Sequence, residues 1–129
     1  MTATTTKSRA KPRRVAYAVL ALLLLGAIVF EVGRHATGYW QIAAFAVAPD
    51  ITLLFGGGQG LARGQLHPRA VRAYNAVHRF WGPLALGALA ALDVVSVGYL
   101  IGALTWALHI ALDRSLGYGL RTPDGFQRQ

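Results

Sequence analysis

The chain has 129 residues, the size of a single domain, and 54% of them are hydrophobic, with a mean hydropathy of +0.41. This apolar content is too high for a small water-soluble domain. The formal net charge of +8 could suit nucleic acid, but the charges lie in short flanks beside apolar runs, as they do in membrane proteins. The sequence has no cysteine, which excludes disulfides and thiolate chemistry.

The N-terminal segment combines a polar tail with the first apolar run. Residues 1–14 are rich in threonine and basic residues and contain no acid, so they are predicted to form a disordered, cytoplasmic tail. The apolar run that follows predicts a first transmembrane helix over residues 15–31. A signal peptide would share this pattern, but no convincing Ala-x-Ala cleavage site follows the run.

A second apolar run predicts a helix over residues 39–55, which opens with a tyrosine and a tryptophan suited to the membrane–water interface. Pro49 is expected to kink this helix, and the carboxylate of Asp50 is costly within an apolar run unless it is paired. The glycine-rich sequence that follows lacks the Gly-Lys-Ser/Thr of a phosphate-binding loop. Residues 56–72 are therefore interpreted as a flexible, basic link.

The remaining apolar sequence predicts two further helices, over residues 73–92 and 94–113, with Asp93 in a tight turn between them. Basic residues precede the first helix, fill the 56–72 link and follow the fourth helix. The positive-inside rule therefore places both termini in the cytoplasm. The predicted fold is all-α, a four-transmembrane-helix bundle over residues 15–121 with a C-terminal tail over residues 122–129.

Four ionisable side chains are predicted to lie at one depth near the cytoplasmic surface. Asp50 and His78 each lie six residues from the cytoplasmic end of their helices, about 9 Å deep at about 1.5 Å per residue. His109 and Asp113 are spaced i, i+4 at the end of the fourth helix, so they share one face. Imidazole and carboxylate suit Zn²⁺, Mn²⁺ or Fe²⁺, and the pattern predicts a divalent metal site.

The leading hypothesis for this site is metal-assisted hydrolysis of a lipid-like or amphipathic substrate. The two histidines and Asp113 would bind the metal, with Asp50 as a fourth ligand or as the base for bound water. Tyr74 and Asn75 would donate hydrogen bonds around the site or bind the substrate. Arg114 would hold an anionic head group.

Three alternatives remain open. The polar side chains could serve only to hold helices together in a non-enzymatic membrane protein, with Asp113 paired to a nearby arginine. His78 and His109 could be axial ligands of a haem, although two carboxylates beside the iron count against this. A small multidrug transporter would have a similar size, but such transporters resemble one another in a glutamate well inside the first helix, whereas Glu31 ends that helix here.

The predicted partners are membrane lipids, and no nucleic acid is expected. Gly98 and Gly102 are spaced i, i+4 on the fourth helix. Small residues at this spacing let two helices approach closely, either within the bundle or between copies in a homo-oligomer.

Four short motifs stand out along the chain, namely Ala48-Pro-Asp50, Tyr74-Asn-x-x-His78, His109-Ile-x-x-Asp113-Arg114 and Gly117-Tyr-Gly-Leu-Arg121. Together they resemble a family of short bacterial membrane proteins catalogued as domain of unknown function 4260. The resemblance covers roughly Ala16 to Phe126. It implies a multi-pass protein of the bacterial inner membrane and marks the motif residues as the positions that matter, but it implies no activity.

Overall fold

The computed structural model describes residues 4–128, with side chains described from Ala10 onward. Within this range the chain is all-α, as predicted, and its only strand-like pairing is one β-bridge between Arg121 and Gln127. The helices are α1 (Thr4–His35), α2 (Tyr39–Val47), a 3-10 helix (Ala48–Phe55), α3 (Pro68–Val77), α4 (Trp81–Ala91) and α5 (Val97–Ser115).

Helix α5 is the centre of the fold, because α1, α2 and α4 all pack against it. Two glycines on α5 allow the closest of these contacts. A Cβ atom on Gly98 would run into Gln41 of α2, and one on Gly102 would lie 2.7 Å from the Phe45 ring. Both glycines are buried. The close helix approach that the sequence predicted for this pair is therefore made within the chain.

Within residues 4–128, one helical segment, Ala10–His35, is long and apolar enough to cross a membrane, with a mean hydropathy of 2.5. Tyr39–Phe55 is a shorter apolar helix. Large apolar side chains are exposed along α1, such as Leu22 at 70% and Val29 at 65%. A surface of this kind is suited to lipid rather than to water. These observations support membrane association of the chain.

Helix α1 begins earlier than the sequence predicted. Residues 4–14 were expected to belong to a disordered tail, but the helix already includes them, and Pro12 lies inside it. Residues 1–3 of that predicted tail lie outside the described residues. Lysine, arginine and alanine are good helix formers, so the helix of the long apolar run extends backwards through them in spite of the hydrogen bond that Pro12 removes.

The third predicted helix, over residues 73–92, is divided into α3 and α4 by a break at His78–Phe80. Pro83 accounts for this break. It has no N–H for the Arg79 carbonyl, and its ring would clash with that carbonyl in a continuous helix. Helix α3 also begins earlier than predicted, at Pro68, and proline is favoured in the first turn of a helix.

Proline also changes the second predicted helix. The chain is α-helical to Val47 and becomes a 3-10 helix from Ala48, so Pro49 has the local effect that the sequence indicated. Asp93 lies in the turn before α5 with a φ of 59°, and Ser96 rather than Asp93 precedes the first residue of α5.

The C-terminal segment folds back onto the link before α3. Helix α5 ends in a Schellman motif, in which the Gly117 N–H bonds the Arg114 carbonyl at 3.2 Å and the Tyr118 N–H bonds the Asp113 carbonyl at 2.8 Å. Gly117 has a φ of 93°, which suits glycine at this position. A turn at residues 122–125 then brings the Gly125 carbonyl to the N–H of Leu66, at 2.9 Å.

Basic residues gather at one end of the bundle. The Arg14 guanidinium on α1 donates to the Ser115 carbonyl at 2.9 Å, so the start of α1 lies beside the end of α5. The link before α3 and the C-terminal segment lie at this end too, since they contact each other. The opposite end has the short links that follow α1 and α4, with few charges. The positive-inside rule predicts that this basic end faces the cytoplasm.

This orientation can be tested by cysteine labelling, because the chain has no cysteine of its own. Gln59 and Arg34 are exposed, the first in the glycine-rich link and the second at the end of α1. We expect a membrane-impermeant maleimide to label Arg34→Cys in cells with a permeabilised outer envelope, and Gln59→Cys only after the inner membrane is disrupted. The reverse pattern would contradict the orientation.

Candidate metal centre

The four side chains that the sequence predicted as metal ligands lie together in the structure. Asp50, His78, His109 and Asp113 each offer one ligand atom, and these atoms all lie within 4.8 Å of one another. They come from three places in the fold. Asp50 belongs to the 3-10 helix, His78 ends α3, and the other two residues share one face of α5.

The distances between the imidazoles and the carboxylates fit a single shared ion. His78 Nε2 lies 3.3 Å from Asp50 Oδ1 and 3.5 Å from Asp113 Oδ2. His109 Nε2 lies 3.2 Å and 3.4 Å from the same two oxygens. Ligand atoms about 2.0–2.1 Å from a tetrahedral ion are about 3.3–3.4 Å from one another. The four imidazole–carboxylate distances are close to this value, whereas the whole group of ligand atoms spans up to 4.8 Å. This His/Asp group could therefore hold a divalent metal ion.

A backbone carbonyl holds the other nitrogen of each imidazole. His78 Nδ1 lies 2.8 Å from the Tyr74 carbonyl, and His109 Nδ1 lies 2.8 Å from the Ala46 carbonyl. Because a carbonyl oxygen only accepts, each Nδ1 carries a proton and donates it. Each Nε2 therefore faces the carboxylates and, in a neutral ring, presents a lone pair to them. This backbone support is typical of histidines that bind metals.

The local sequence explains why the Ala46 carbonyl is available. In an α-helix, it would accept the N–H of Asp50, four residues later. In the 3-10 pattern, the partner of this carbonyl would be residue 49, three residues later. Pro49 has no N–H to donate, so the Ala46 carbonyl can accept from His109 instead.

Burial makes the cluster asymmetric. The side chains of His78 and His109 are 3% and 10% exposed, whereas those of Asp113 and Asp50 are 26% and 45% exposed. The imidazoles thus form the floor of the cluster, and Asp50 lies at its open side. Water or a substrate could reach the cluster from that side.

A family model described as Domain of unknown function (DUF4260) matches residues 15–129. The chain belongs to this family. Membership confirms the resemblance that the motifs indicated. No curated protein and no solved structure matches the chain.

In this DUF4260 chain, Tyr74 and Asn75 support the cluster from α3. The Tyr74 ring is 3% exposed and stacks on the His78 imidazole, with ring centres 3.9 Å apart. The Asn75 side chain exchanges two hydrogen bonds with the backbone of Arg121, at 2.7 and 3.0 Å. The Arg121 guanidinium in turn lies 5.0 Å from the Tyr74 ring centre. The contacts of Asn75 are therefore with the C-terminal segment.

Arg114 binds groups of the protein itself. Its guanidinium donates to the Tyr17 hydroxyl at 3.0 Å and to the His78 carbonyl at 3.1 Å, and it lies 5.1 Å from the Phe80 ring centre. These contacts join the break between α3 and α4 to α1 and α5. The sequence prediction of a head-group ligand did not include this supporting role.

Trp106 has a similar role that the sequence did not indicate. Its indole N–H donates to the Val77 carbonyl at 2.7 Å, and its ring packs against Gly82, where a Cβ atom would lie 2.5 Å from the ring. The break after Val77 leaves this carbonyl without a helical partner. In the sequence, Pro83 is the residue that indicates the break. The break leaves a carbonyl that needs a donor, and Trp106 is that donor.

The alternative pairing of Asp113 with an arginine is not what the geometry favours. Among the described residues, the ion-pair partners of Asp113 are His78 and His109. The pairing of His109 with Asp50 that could hold helices together without a metal is present, at 3.2 Å.

Proposed function

We propose that this protein is a multi-pass protein of the bacterial inner membrane that binds one divalent metal ion at its cytoplasmic side. His78, His109 and Asp113 are ligands, and Asp50 is either the fourth ligand or the base for bound water. The bound ion serves hydrolysis of a lipid-like or amphipathic substrate. The four proposed spans are α1, α2 with the 3-10 helix, the broken α3–α4 unit, and α5. The convergence of two imidazole nitrogens and two carboxylate oxygens is the observation that carries the proposal.

Hydrogen bonds alone account poorly for this convergence. Each Nε2 carries at most one proton, yet it faces two carboxylate oxygens at similar distances of 3.2–3.5 Å. A charge-assisted hydrogen bond to one carboxylate oxygen would be shorter, about 2.7–2.9 Å. A shared cation gives each of the four atoms its own bond. The arrangement therefore favours an ion over a set of bifurcated hydrogen bonds.

The ligand types limit the metal. Two imidazoles and two carboxylates supply nitrogen and oxygen donors without sulfur, and this set suits Zn²⁺, Mn²⁺ or Fe²⁺. Mg²⁺ and Ca²⁺ bind oxygen ligands almost exclusively, so the two buried histidines count against them.

The asymmetry of the cluster supports a hydrolytic role. A divalent ion supplies an activated water by lowering its pKa towards about 7. Asp50 lies at the open side, where its carboxylate can complete the ligand set or accept a proton. The two histidines and Asp113, which are less exposed than Asp50, would keep the ion in place. The exposed apolar surface of the surrounding helices gives lipid-like molecules direct access to this side.

A non-enzymatic role is the second candidate. The same four side chains connect the 3-10 helix, the end of α3 and α5, and His109 also binds the Ala46 carbonyl. Polar contacts of this kind hold membrane helices together without any chemistry. The two candidates differ in whether the cluster needs a cation.

Metal content distinguishes them, and the chain offers a matched control. His35 and Glu31 form another i, i+4 histidine–carboxylate pair, at 3.2 Å and far along α1. We expect detergent-purified protein to contain about one equivalent of a transition metal, and His109→Gln to lower this content more than about tenfold. His35→Gln should retain the wild-type content. Equal metal content in all three proteins would place the metal elsewhere.

Asp113→Asn separates a ligand from a structural partner. Neutral amide oxygen is a poor ligand for these ions, so the metal content should fall while the thermal stability of the chelator-treated protein stays within about 0.5 kcal/mol of wild type. If protonated histidines need Asp113 as a partner, the chelator-treated variant should instead lose up to about 3–5 kcal/mol. If the wild-type protein is purified without metal and Asp113→Asn lowers its stability, only the structural role is left.

Hydrolysis is tested by incubating metal-loaded protein with vesicles of bacterial polar lipids and identifying products by mass spectrometry. We expect hydrolysed lipid from the wild type, and a rate about 10²–10⁴-fold lower for Asp50→Asn, since a carboxamide cannot accept the proton of water. His35→Gln is the control here as well. Absence of products from the metal-loaded wild type, with simple esters also unchanged, would overturn the hydrolytic part of the proposal.

A further inference from the structure

A partly open cleft lies beside the candidate metal centre. Its volume is about 130 Å³, and it is lined by Phe45, Ala48, Pro49, Val77 and Trp106. The cleft and the cluster are built from the same short segments of chain. Pro49 precedes one proposed ligand, Val77 precedes another, and Trp106 lies less than one helical turn before a third.

The walls of this cleft are apolar. The only side-chain N–H group among the lining residues, that of Trp106, is already bonded to the Val77 carbonyl at 2.7 Å. The Trp106 ring stacks with the Phe45 ring at 6.0 Å between centres, so the two present aromatic surface. An apolar cavity of about 150 Å³ stays dry and accepts a hydrocarbon such as benzene. The cleft therefore suits a short length of hydrocarbon rather than water or a polar group.

We propose that this cleft holds the hydrocarbon chain of the lipid substrate while the polar head of the same molecule lies at the His/Asp cluster. This inference rests on the proposed function and narrows its substrate class to lipids with a linear chain close to the head group. Apolar side chains near the Ala48–Pro49 wall are exposed, Val47 at 61% and Ile51 at 46%. They offer apolar surface near the cleft to a chain from the surrounding lipid.

Trp106 provides a direct probe of the cleft. The chain has three tryptophans, and the other two, Trp40 and Trp81, are largely exposed. Replacing both with phenylalanine leaves Trp106 as the only indole. We expect stearic acid carrying bromine on its chain to quench Trp106 fluorescence in a saturable way, in detergent-solubilised and chelator-treated protein alike.

Two lining positions allow the cleft to be filled in steps. Ala48→Leu should exclude about two methylenes of the chain and weaken binding about fifteenfold, and Val77→Ile should exclude about one and weaken it about fourfold. Ala44→Leu is the matched control, because Ala44 is an exposed residue one turn before Ala48 and does not line the cleft. This control should bind as the parent does.

The outcomes separate this inference from the proposed function. If quenching is equal in all three variants, the brominated acid reaches Trp106 from the surrounding detergent and not from the cleft. This result would overturn the inference whatever the metal content. Graded loss across Val77→Ile and Ala48→Leu supports it, even in a protein that binds no metal. In that case the cleft would bind lipid chains while the hydrolytic proposal failed. The mild Val77→Ile change keeps the test available if Ala48→Leu does not fold.

Discussion

Backbone carbonyls at the two helix breaks determine how the side chains of α5 are arranged. A backbone carbonyl that is shielded from water and lacks a donor costs free energy, so each break needs a donor from elsewhere in the protein. Three carbonyls at these breaks accept hydrogen bonds from side chains of α5, at distances of 2.7–3.1 Å. Rotating or sliding α5 would leave three acceptors without partners at once, so its register is fixed. The pairs are Ala46 with His109, Val77 with Trp106, and His78 with Arg114.

The geometry of the metal centre follows from this register. His109 reaches the cluster through its Nε2 because its Nδ1 is held by a carbonyl that the 3-10 helix leaves available. Asp113 then faces the same point because it lies one turn further along α5. Two carboxylates that share such a small volume repel each other unless a positive charge lies between them. A metal ion or protonated imidazoles would both provide that charge, and only an ion bonds all four ligand atoms equally.

Sequence reasoning located the four proposed ligands but not their support. The prediction took depth from the distance to the predicted helix end, at about 1.5 Å per residue. For His78 this premise was wrong, because α3 begins at Pro68 rather than at residue 73 and ends at Val77, and His78 meets the other three residues at the end of α3. The roles of Arg114 and Trp106 could not be predicted, because their acceptors are backbone carbonyls. The sequence analysis expected a kink at Pro49 but an unbroken helix over residues 73–92, and neither Pro49 nor Pro83 shows which side chain will bind each carbonyl.

The Gly-Tyr-Gly-Leu-Arg run after α5 can be understood from the same geometry. The left-handed conformation of Gly117 ends α5 directly after the last proposed ligand and turns the chain back towards α3. Four residues later, the backbone of Arg121 meets Asn75, whose neighbour Tyr74 stacks on His78. The run thus connects Asp113 on α5 to the segment of α3 that ends at His78. A side chain at position 117 would strain this turn. The motif therefore places the C-terminal segment against α3, beside the candidate metal centre, without contacting the four proposed ligands.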